Sequence, residues 1–126
     1  MAILAQLALE VFSVERLPGL AEQARARLDR LGYLNVHMTY GNGSVGWPEH
    51  APYDAIVVGA AAPNIPQPLI EQLAERGRLV IPVGPRQSQI LTLVEKHAGT
   101  LQMRQITSCV FVPFIGEYGW PSDESP

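Results

Sequence analysis

The sequence has little of several residue types, and each scarcity excludes a class of protein. One cysteine, Cys109, among 126 residues cannot form an internal disulfide, and this count is typical of a cytoplasmic protein. No apolar run approaches the length of a membrane span. The apolar start lacks a basic region and ends at Glu10, which argues against a signal peptide. The net charge of −3 leaves no basic stripe, so we expect neither nucleic acid nor a membrane as partner.

Patterns that would indicate a metal site or an activated nucleophile are also missing. His37, His50 and His97 are scattered along the chain without the spacing of metal ligands, so we expect surface or packing roles for them. No serine or cysteine triad is evident, and the catalytic residues are therefore unknown. Cys109 is expected to be a small buried side chain in a strand, with a reactive thiol as the alternative.

The sequence shows the alternation of strands and helices that is typical of a globular α/β domain. Hydrophobic residues make up 47% of the chain, enough for a core. After the end of a buried helix at the start, strands are predicted at 11–16, 36–40, 54–59 and 78–84, and helices at 20–31 and 67–76. The strand at 54–59 is apolar on both faces, as expected of a central parallel strand. Segments 89–95 and 101–112 then form an antiparallel hairpin without an intervening helix.

This order of elements is that of a Rossmann-like methyltransferase sheet with a C-terminal antiparallel hairpin. A dinucleotide-binding dehydrogenase, which remains a third possibility, would more often keep alternating strands with helices. We expect residues 1–120 to form one such domain, incomplete at its start, and residues 121–126 to form a disordered tail.

Glu15 is the most informative single residue, because it ends a buried-type strand and a helix follows at once. In nucleotide-binding α/β folds such a carboxylate holds the ribose hydroxyls of the cofactor. That strand is normally the second of its sheet, yet only ten residues precede it here and none is glycine. The sequence therefore predicts a nucleotide-type cofactor and a missing first strand. The alternative is an acidic residue that complements the dipole of the following helix.

Several segments, taken in order, match a known family: residues 4–7, 11–16, 41–43, 51–61, 66–73, 79–84 and 111–114. With them the chain resembles the protein-L-isoaspartate O-methyltransferase family, which uses S-adenosylmethionine. The resemblance extends from residue 3 to about residue 116. Two departures stand out. The family's glycine-rich loop, of the form G-x-G-x-G-Y, lies upstream of this chain's first helix and is not among the 126 residues. The family's G-D-G turn reads Gly41-Asn42-Gly43.

The resemblance assigns cofactor-binding roles in two regions. It implies that Glu15 binds the ribose and that Asn42 lies where an aspartate meets the adenine amine, with weaker binding because the amide lacks the charge. Gly41 and Gly43 would let the backbone approach the adenosine. The alternative for all three residues of this turn is ordinary Asn-Gly turn chemistry.

The remaining assignments fall later in the chain. Ala60 and Ala61 would line the floor of the cofactor pocket, with close helix packing as the alternative. Val112, Pro113 and Phe114 match the segment near the substrate peptide, although a core strand followed by a proline exit is the simpler interpretation.

The implied function is methyl esterification of L-isoaspartyl residues in damaged proteins. This reaction depends mainly on the orientation of the carboxylate and the methyl donor, since the substrate carboxylate is already ionised at neutral pH. The competing hypothesis is a truncated, inactive fragment, or a piece that works only with a partner supplying the missing strand and loop. In that case we expect weak cofactor binding and possible self-association through an unpaired strand.

Overall fold

The structure, a computed structural model, describes residues 1–121, so the predicted tail lies outside the described residues from residue 122 onward. The regular elements, in chain order, are α1 (Ala2–Leu7), β1 (Val11–Glu15), α2 (Pro18–Arg30), β2 (Val36–Tyr40), β3 (Tyr53–Val57), α3 (Gln67–Glu71), β4 (Leu73–Val83), β5 (Gln89–His97) and β6 (Thr100–Cys109). The chain divides into two compact units, Met1–Gly43 and a second that begins at Ser44.

The first unit contains a parallel pair of strands with helix α2 as the crossover between them. β1 and β2 run in register from Val11 opposite Val36 to Glu15 opposite Tyr40. The proline at the first position of α2 fits there because that backbone nitrogen needs no intrahelical partner. Leu28 of α2 packs with Val36 in a small apolar core. This arrangement confirms the predicted strand, helix and strand.

Helix α1 is present, but the prediction that its segment is buried is wrong. Only Ala5 of the helix is buried, whereas the Leu7 side chain is 80% exposed. Ala5 joins Leu28 and Val36 in the small apolar core and Ala2 packs against it, while the other four residues of the helix are exposed. The helix is held at its end by Asn35, whose Nδ2 donates to the carbonyl oxygens of Ala5 at 2.8 Å and Ala8 at 3.2 Å.

The second unit is built on a four-stranded sheet in the order β3-β4-β5-β6. β3 is parallel to β4, while the β4-β5 and β5-β6 pairs are antiparallel. The predicted hairpin is therefore confirmed, and its turn at Ala98 and Gly99 has positive φ at both residues, as a tight hairpin turn requires. The main core combines buried side chains of β4 and β5 with Leu69 of α3 and Ala62 of the loop after β3; the strand residues are Leu73, Leu79, Ile81 and Val94.

The prediction that the strand near Val57 lies in the middle of the sheet is wrong. Among the strands of residues 1–121, β3 pairs only with β4 and so forms an edge of the four-stranded sheet, and β1 belongs to the separate two-stranded sheet. The Val57 side chain is consequently 61% exposed. Apolar residues at an edge are a liability, because the free backbone groups there can pair with another strand.

The helix predicted at 67–76 is also wrong in length, because α3 ends at Glu71. Lys96 caps this end: its Nζ donates to the carbonyl oxygen of Ile70, in the last turn of α3, and to that of Leu73, the first residue of β4, each at 2.8 Å. The following strand, β4, begins at Leu73 and is irregular at Arg76, whose φ is 65°. Its register against β3 jumps from Tyr53 opposite Leu73 to Ala55 opposite Arg78.

Candidate functional site

The carboxyl ends of β1 and β2 place Glu15 beside Gly41. The two strands end together, with Glu15 opposite Tyr40, and the backbone N–H of Gly41 donates to the carbonyl oxygen of Glu15 at 2.9 Å. Ligands of open α/β sheets bind outside the carboxyl ends of the strands. The structure therefore joins two of the predicted cofactor-binding residues at the edge where such a site is expected.

The Glu15 side chain is half-buried and engaged at the start of α2. One carboxylate oxygen accepts a hydrogen bond from the backbone N–H of Leu17 at 3.3 Å. This contact agrees with the alternative of a local role at the helix start. The two roles are compatible, because a carboxylate has two oxygens and about four acceptor positions. The residue can thus hold the turn and still accept from vicinal hydroxyls of a sugar.

The turn after β2 is shaped by Gly41, whose φ of 150° is a backbone conformation that favours glycine. A Cβ added at Gly41 would meet nothing within 4 Å, so the backbone conformation, rather than crowding, accounts for glycine. Asn42 and Gly43 follow, both half-buried, and a short 3-10 helix runs over Gly43–Val45. Gly41, Asn42 and Gly43 form the last part of the first unit.

In the second unit, the residue pair Ala60 and Ala61 follows β3, and Ala61 contacts the predicted substrate segment directly. The Ala61 N–H donates to the Val112 carbonyl at 2.7 Å, and the Ala61 carbonyl accepts from the Phe114 N–H at 2.8 Å. Ala61 is only 1% exposed, and Ala60 is half-buried. The structure therefore brings Ala61 together with the segment from Val112 to Phe114.

The interpretation of that segment as a core strand is wrong. Strand β6 ends at Cys109, and the Val112 side chain is 69% exposed. Phe114 is half-buried and packs against the main core. The segment is thus fixed by backbone hydrogen bonds while Val112 points outward, which is an arrangement suited to contact with a ligand.

Sequence reasoning missed two buried glutamines that hold loops in the second unit. Gln72 donates from Nε2 to the Val45 carbonyl at 2.8 Å and accepts at Oε1 from the Trp47 N–H at 2.9 Å. Gly46, at φ 69°, is required between them because its Cβ would lie 2.2 Å from the Gln72 Oε1. Gln89 makes a similar set of contacts at another loop. Glutamine reads as a surface residue in sequence, so no pattern signalled either role.

Buried Ser44 is another residue that the sequence did not single out. Its Oγ accepts a hydrogen bond from the Tyr118 N–H at 3.0 Å and ties the last described residues to the loop that opens the second unit. Nearby, burial raises the pKa of the Tyr53 phenol, and the charge of Glu49 raises it further. The Tyr53 hydroxyl donates to the Trp47 carbonyl.

Two of the histidines pack against aromatic rings. Within residues 1–121 no group of histidine, cysteine, aspartate and glutamate side chains could hold a metal ion. His37 stacks on Phe12 with ring centroids 4.8 Å apart, and His50 meets the edge of Trp47 at 5.2 Å. In the part of the chain that the structure describes, no helix has the length and apolar character needed to cross a membrane.

Comparison with known sequences gives a consistent family. The model of the Protein-L-isoaspartate(D-aspartate) O-methyltransferase family matches residues 1–119. A protein-L-isoaspartate O-methyltransferase of Methanoculleus marisnigri is 50% identical over 125 residues, which cover 99% of this chain and 57% of that relative. The enzyme of the same name from Geobacter metallireducens is 51% identical over 124 residues, 98% of this chain and 57% of the relative. The chain thus spans 57% of the length of both relatives.

Comparison with solved structures agrees and confirms the predicted Rossmann-like methyltransferase fold class. One protein-L-isoaspartate O-methyltransferase superposes with a TM-score of 0.80 at 31% identity, covering 87% of this chain and 35% of that chain. A Plasmodium falciparum relative described as such an enzyme, in complex with S-adenosyl-L-homocysteine, gives a TM-score of 0.74 at 26% identity, covering 86% and 53%. The chain belongs to the protein-L-isoaspartate O-methyltransferase family.

Proposed function

We propose that this chain takes part in S-adenosylmethionine-dependent methyl esterification of L-isoaspartyl residues in damaged proteins. The observation that carries the proposal is the hydrogen bond between Gly41 and Glu15. It places a carboxylate and a glycine turn together at the carboxyl edge of a parallel strand pair. The family match over residues 1–119 supplies the reaction class.

The residues of the first unit suit the adenosine part of the cofactor. The Glu15 carboxylate would accept from the ribose hydroxyls, with charged hydrogen bonds worth about 1.5–3 kcal/mol each. The Asn42 side-chain carbonyl would accept from the adenine amine, more weakly than an aspartate because it carries no charge. Gly41 and Gly43 let the backbone turn at this edge without side chains in the way. In the second unit, taken by itself, Ala60 and Ala61 are proposed to contact the cofactor.

The chemistry needs little acid–base assistance from the chain. The cofactor, when bound, supplies a methyl group activated by a positively charged sulfur. That methyl group would pass to the isoaspartyl carboxylate, and Glu15 and Asn42 would hold the adenosine part of the cofactor. The task of the chain is to hold the peptide carboxylate in line, so we assign no general acid or base.

The segment from Val112 to Phe114 is proposed to contact the peptide. Its support is the combination of a fixed backbone and an outward-facing Val112 side chain. A rigid apolar edge of this kind loses little entropy when an extended peptide docks on it.

A second candidate is a partner-dependent piece of such an enzyme, in which residues 1–120 form an incomplete methyltransferase domain. The edge position of β3, with Val57 61% exposed, favours it, because an added strand could pair there. The chain spans 57% of the length of the two curated relatives named above. On this account the isolated chain binds S-adenosylmethionine weakly and self-associates through the open edge. Low-micromolar affinity by calorimetry would refute it, and so would a monomer at every concentration in sedimentation.

We also propose the cytosol as compartment, on the support of the single cysteine, and neither nucleic acid nor a membrane as partner, on the support of the net charge of −3.

One experiment distinguishes an active enzyme from a partner-dependent piece. The 126-residue chain is incubated with methyl-labelled S-adenosylmethionine and an L-isoaspartyl peptide, with the L-aspartyl twin as control. Base-labile label on the isoaspartyl peptide alone would support the enzyme. Binding of S-adenosylhomocysteine and peptide without transfer would support the partner-dependent piece. A chain that binds neither ligand would contradict the proposal that this chain acts as the enzyme by itself.

A further inference from the structure

Gln89 is a buried amide whose two ends are both engaged by backbone groups. Its side chain is 1% exposed. The Nε2 donates to the carbonyl oxygens of Pro85 at 2.8 Å and Arg86 at 3.1 Å, and the Oε1 accepts from the Phe111 N–H at 2.8 Å. A buried primary amide is costly unless its donors and acceptor are satisfied. Here they are satisfied by joining the loop before β5 to the segment after β6.

The bond to Phe111 falls where regular pairing has stopped. Gln89 is opposite Cys109, the last residue of β6, so Phe111 lies beyond the ladder. From the next residue onward the segment is hydrogen-bonded to the backbone of Ala61, through the Val112 carbonyl and the Phe114 N–H. The segment is therefore fixed at its start by the side chain of Gln89 and in its middle by the backbone of Ala61.

The far end of the segment is fixed as well. The Trp120 N–H donates to the Phe114 carbonyl at 2.8 Å, and the Arg86 guanidinium lies 5.1 Å from the centroid of the Trp120 ring. The loop that Gln89 holds through Arg86 thus also touches the residue that closes the segment. The side chain of Gln89 therefore hydrogen-bonds both the loop before β5 and the segment after β6.

We propose that Gln89 is a positioning residue for the peptide substrate, resting on the proposed role of Val112–Phe114 in peptide contact. The hydrogen bonds of its amide fix the position of the backbone of this segment. A side chain of the same volume without these hydrogen bonds would not fix it. We assign Gln89 no contact with the reacting atoms. Supporting residues that lock the geometry of a binding surface are expected to change affinity when they are replaced, even without direct contact.

The test uses Gln89→Met, which keeps the length of the side chain but removes the donors and the acceptor. The control is Thr92→Val on the same strand, because Thr92 is buried and its Oγ1 donates only locally, to the Ile90 carbonyl at 3.0 Å. Both variants lose a buried hydrogen-bonding group, but only one of them loses the contact with Phe111. A purely structural role would make the two variants behave alike.

The readout is the affinity for an L-isoaspartyl peptide, from NMR titration of the nitrogen-15-labelled chain at a temperature where each variant is folded. We expect Gln89→Met to bind about tenfold more weakly than the wild type, and Thr92→Val to bind equally well. Equal binding by wild type and Gln89→Met would overturn this inference alone. A wild-type chain that does not bind the peptide would overturn the proposed function and, with it, this inference.

A second measurement needs no variant and covers the case in which Gln89→Met does not fold. Hydrogen exchange at the Phe111 amide of the wild-type chain should be slowed to the level of the amides paired within β5, because its acceptor is buried. Exchange as fast as in an unpaired, exposed segment would show that the bond does not fix the backbone and would overturn the inference.

Discussion

The backbone N–H of Gly41 donates to the carbonyl oxygen of Glu15 across a distance of 2.9 Å. This bond is the last rung between two parallel strands, so the acidic side chain of one strand and the glycine turn of the other leave the sheet at the same point. The relationship explains how residues 26 positions apart in sequence can serve one ligand.

Replacement of Glu15 by glutamine tests the ribose contact. The amide keeps an acceptor for the Leu17 N–H but loses the charge, so the local turn should survive while cofactor binding weakens. We expect adenosine to bind about tenfold more weakly, measured by NMR titration. Glu22→Gln, on the exposed face of α2, is the control and should leave the affinity unchanged. Equal losses in both variants would show only a general effect of charge.

Replacement of Asn42 by aspartate tests the adenine contact in the opposite direction. A carboxylate at this position accepts a charge-assisted hydrogen bond, so S-adenosylhomocysteine should bind several-fold more tightly, a gain of about 1 kcal/mol. Asn64→Asp in an exposed loop of the second unit adds the same charge elsewhere. If it produced the same gain, the adenine assignment of Asn42 would be wrong.

Replacement of Gly46 by alanine tests the loop held by Gln72. The new Cβ would lie 2.2 Å from the Gln72 Oε1, in a backbone with φ of 69°. We expect the free energy of unfolding to fall by about 2–3 kcal/mol, measured by thermal or denaturant unfolding. Gly19→Ala in α2 is the control, since a Cβ there meets nothing within 4 Å, and it should be neutral or slightly stabilising.

The raised pKa of Tyr53 predicts a loss of stability in alkali. Since burial and the charge of Glu49 raise the pKa of Tyr53 in the folded protein above its ordinary value of 10.0, the stabilisation is complete below pH 10 and is lost as the pH rises through the higher folded pKa. Tyr53→Phe removes the hydrogen bond to the Trp47 carbonyl, at a cost of about 1 kcal/mol at neutral pH, and should abolish this alkaline component. Unfolding curves between pH 8 and pH 11 would show it, and identical slopes for both proteins would contradict it.

The sequence predicted the elements whose signals are local. The helix at Pro18–Arg30 has a proline start and an apolar face, and the hairpin of β5 and β6 has a two-residue turn, so both were found. The length of α3 was not found, because its end depends on Lys96, which is 25 positions downstream of Glu71. A side chain that caps a helix from a distant strand leaves no pattern near the helix.

The candidate site was predictable to a similar degree. Glu15 is predicted from its position at the end of a strand, and the glycine turn from the family resemblance; the structure pairs Glu15 with Gly41. The contact of Ala61 with Val112 and Phe114 joins residues that are about 50 positions apart and could not be inferred from spacing. The same holds for Gln89, because the value of a glutamine depends on the backbone groups that tertiary structure brings to it.

The most direct test of the central claim is a titration of the nitrogen-15-labelled chain with S-adenosylhomocysteine. The account predicts that the largest shifts of amide resonances occur at Glu15, Gly41 and Asn42, because the adenosine should bind at the carboxyl ends of β1 and β2. Saturating ligand that leaves these three resonances in place while others move would contradict it.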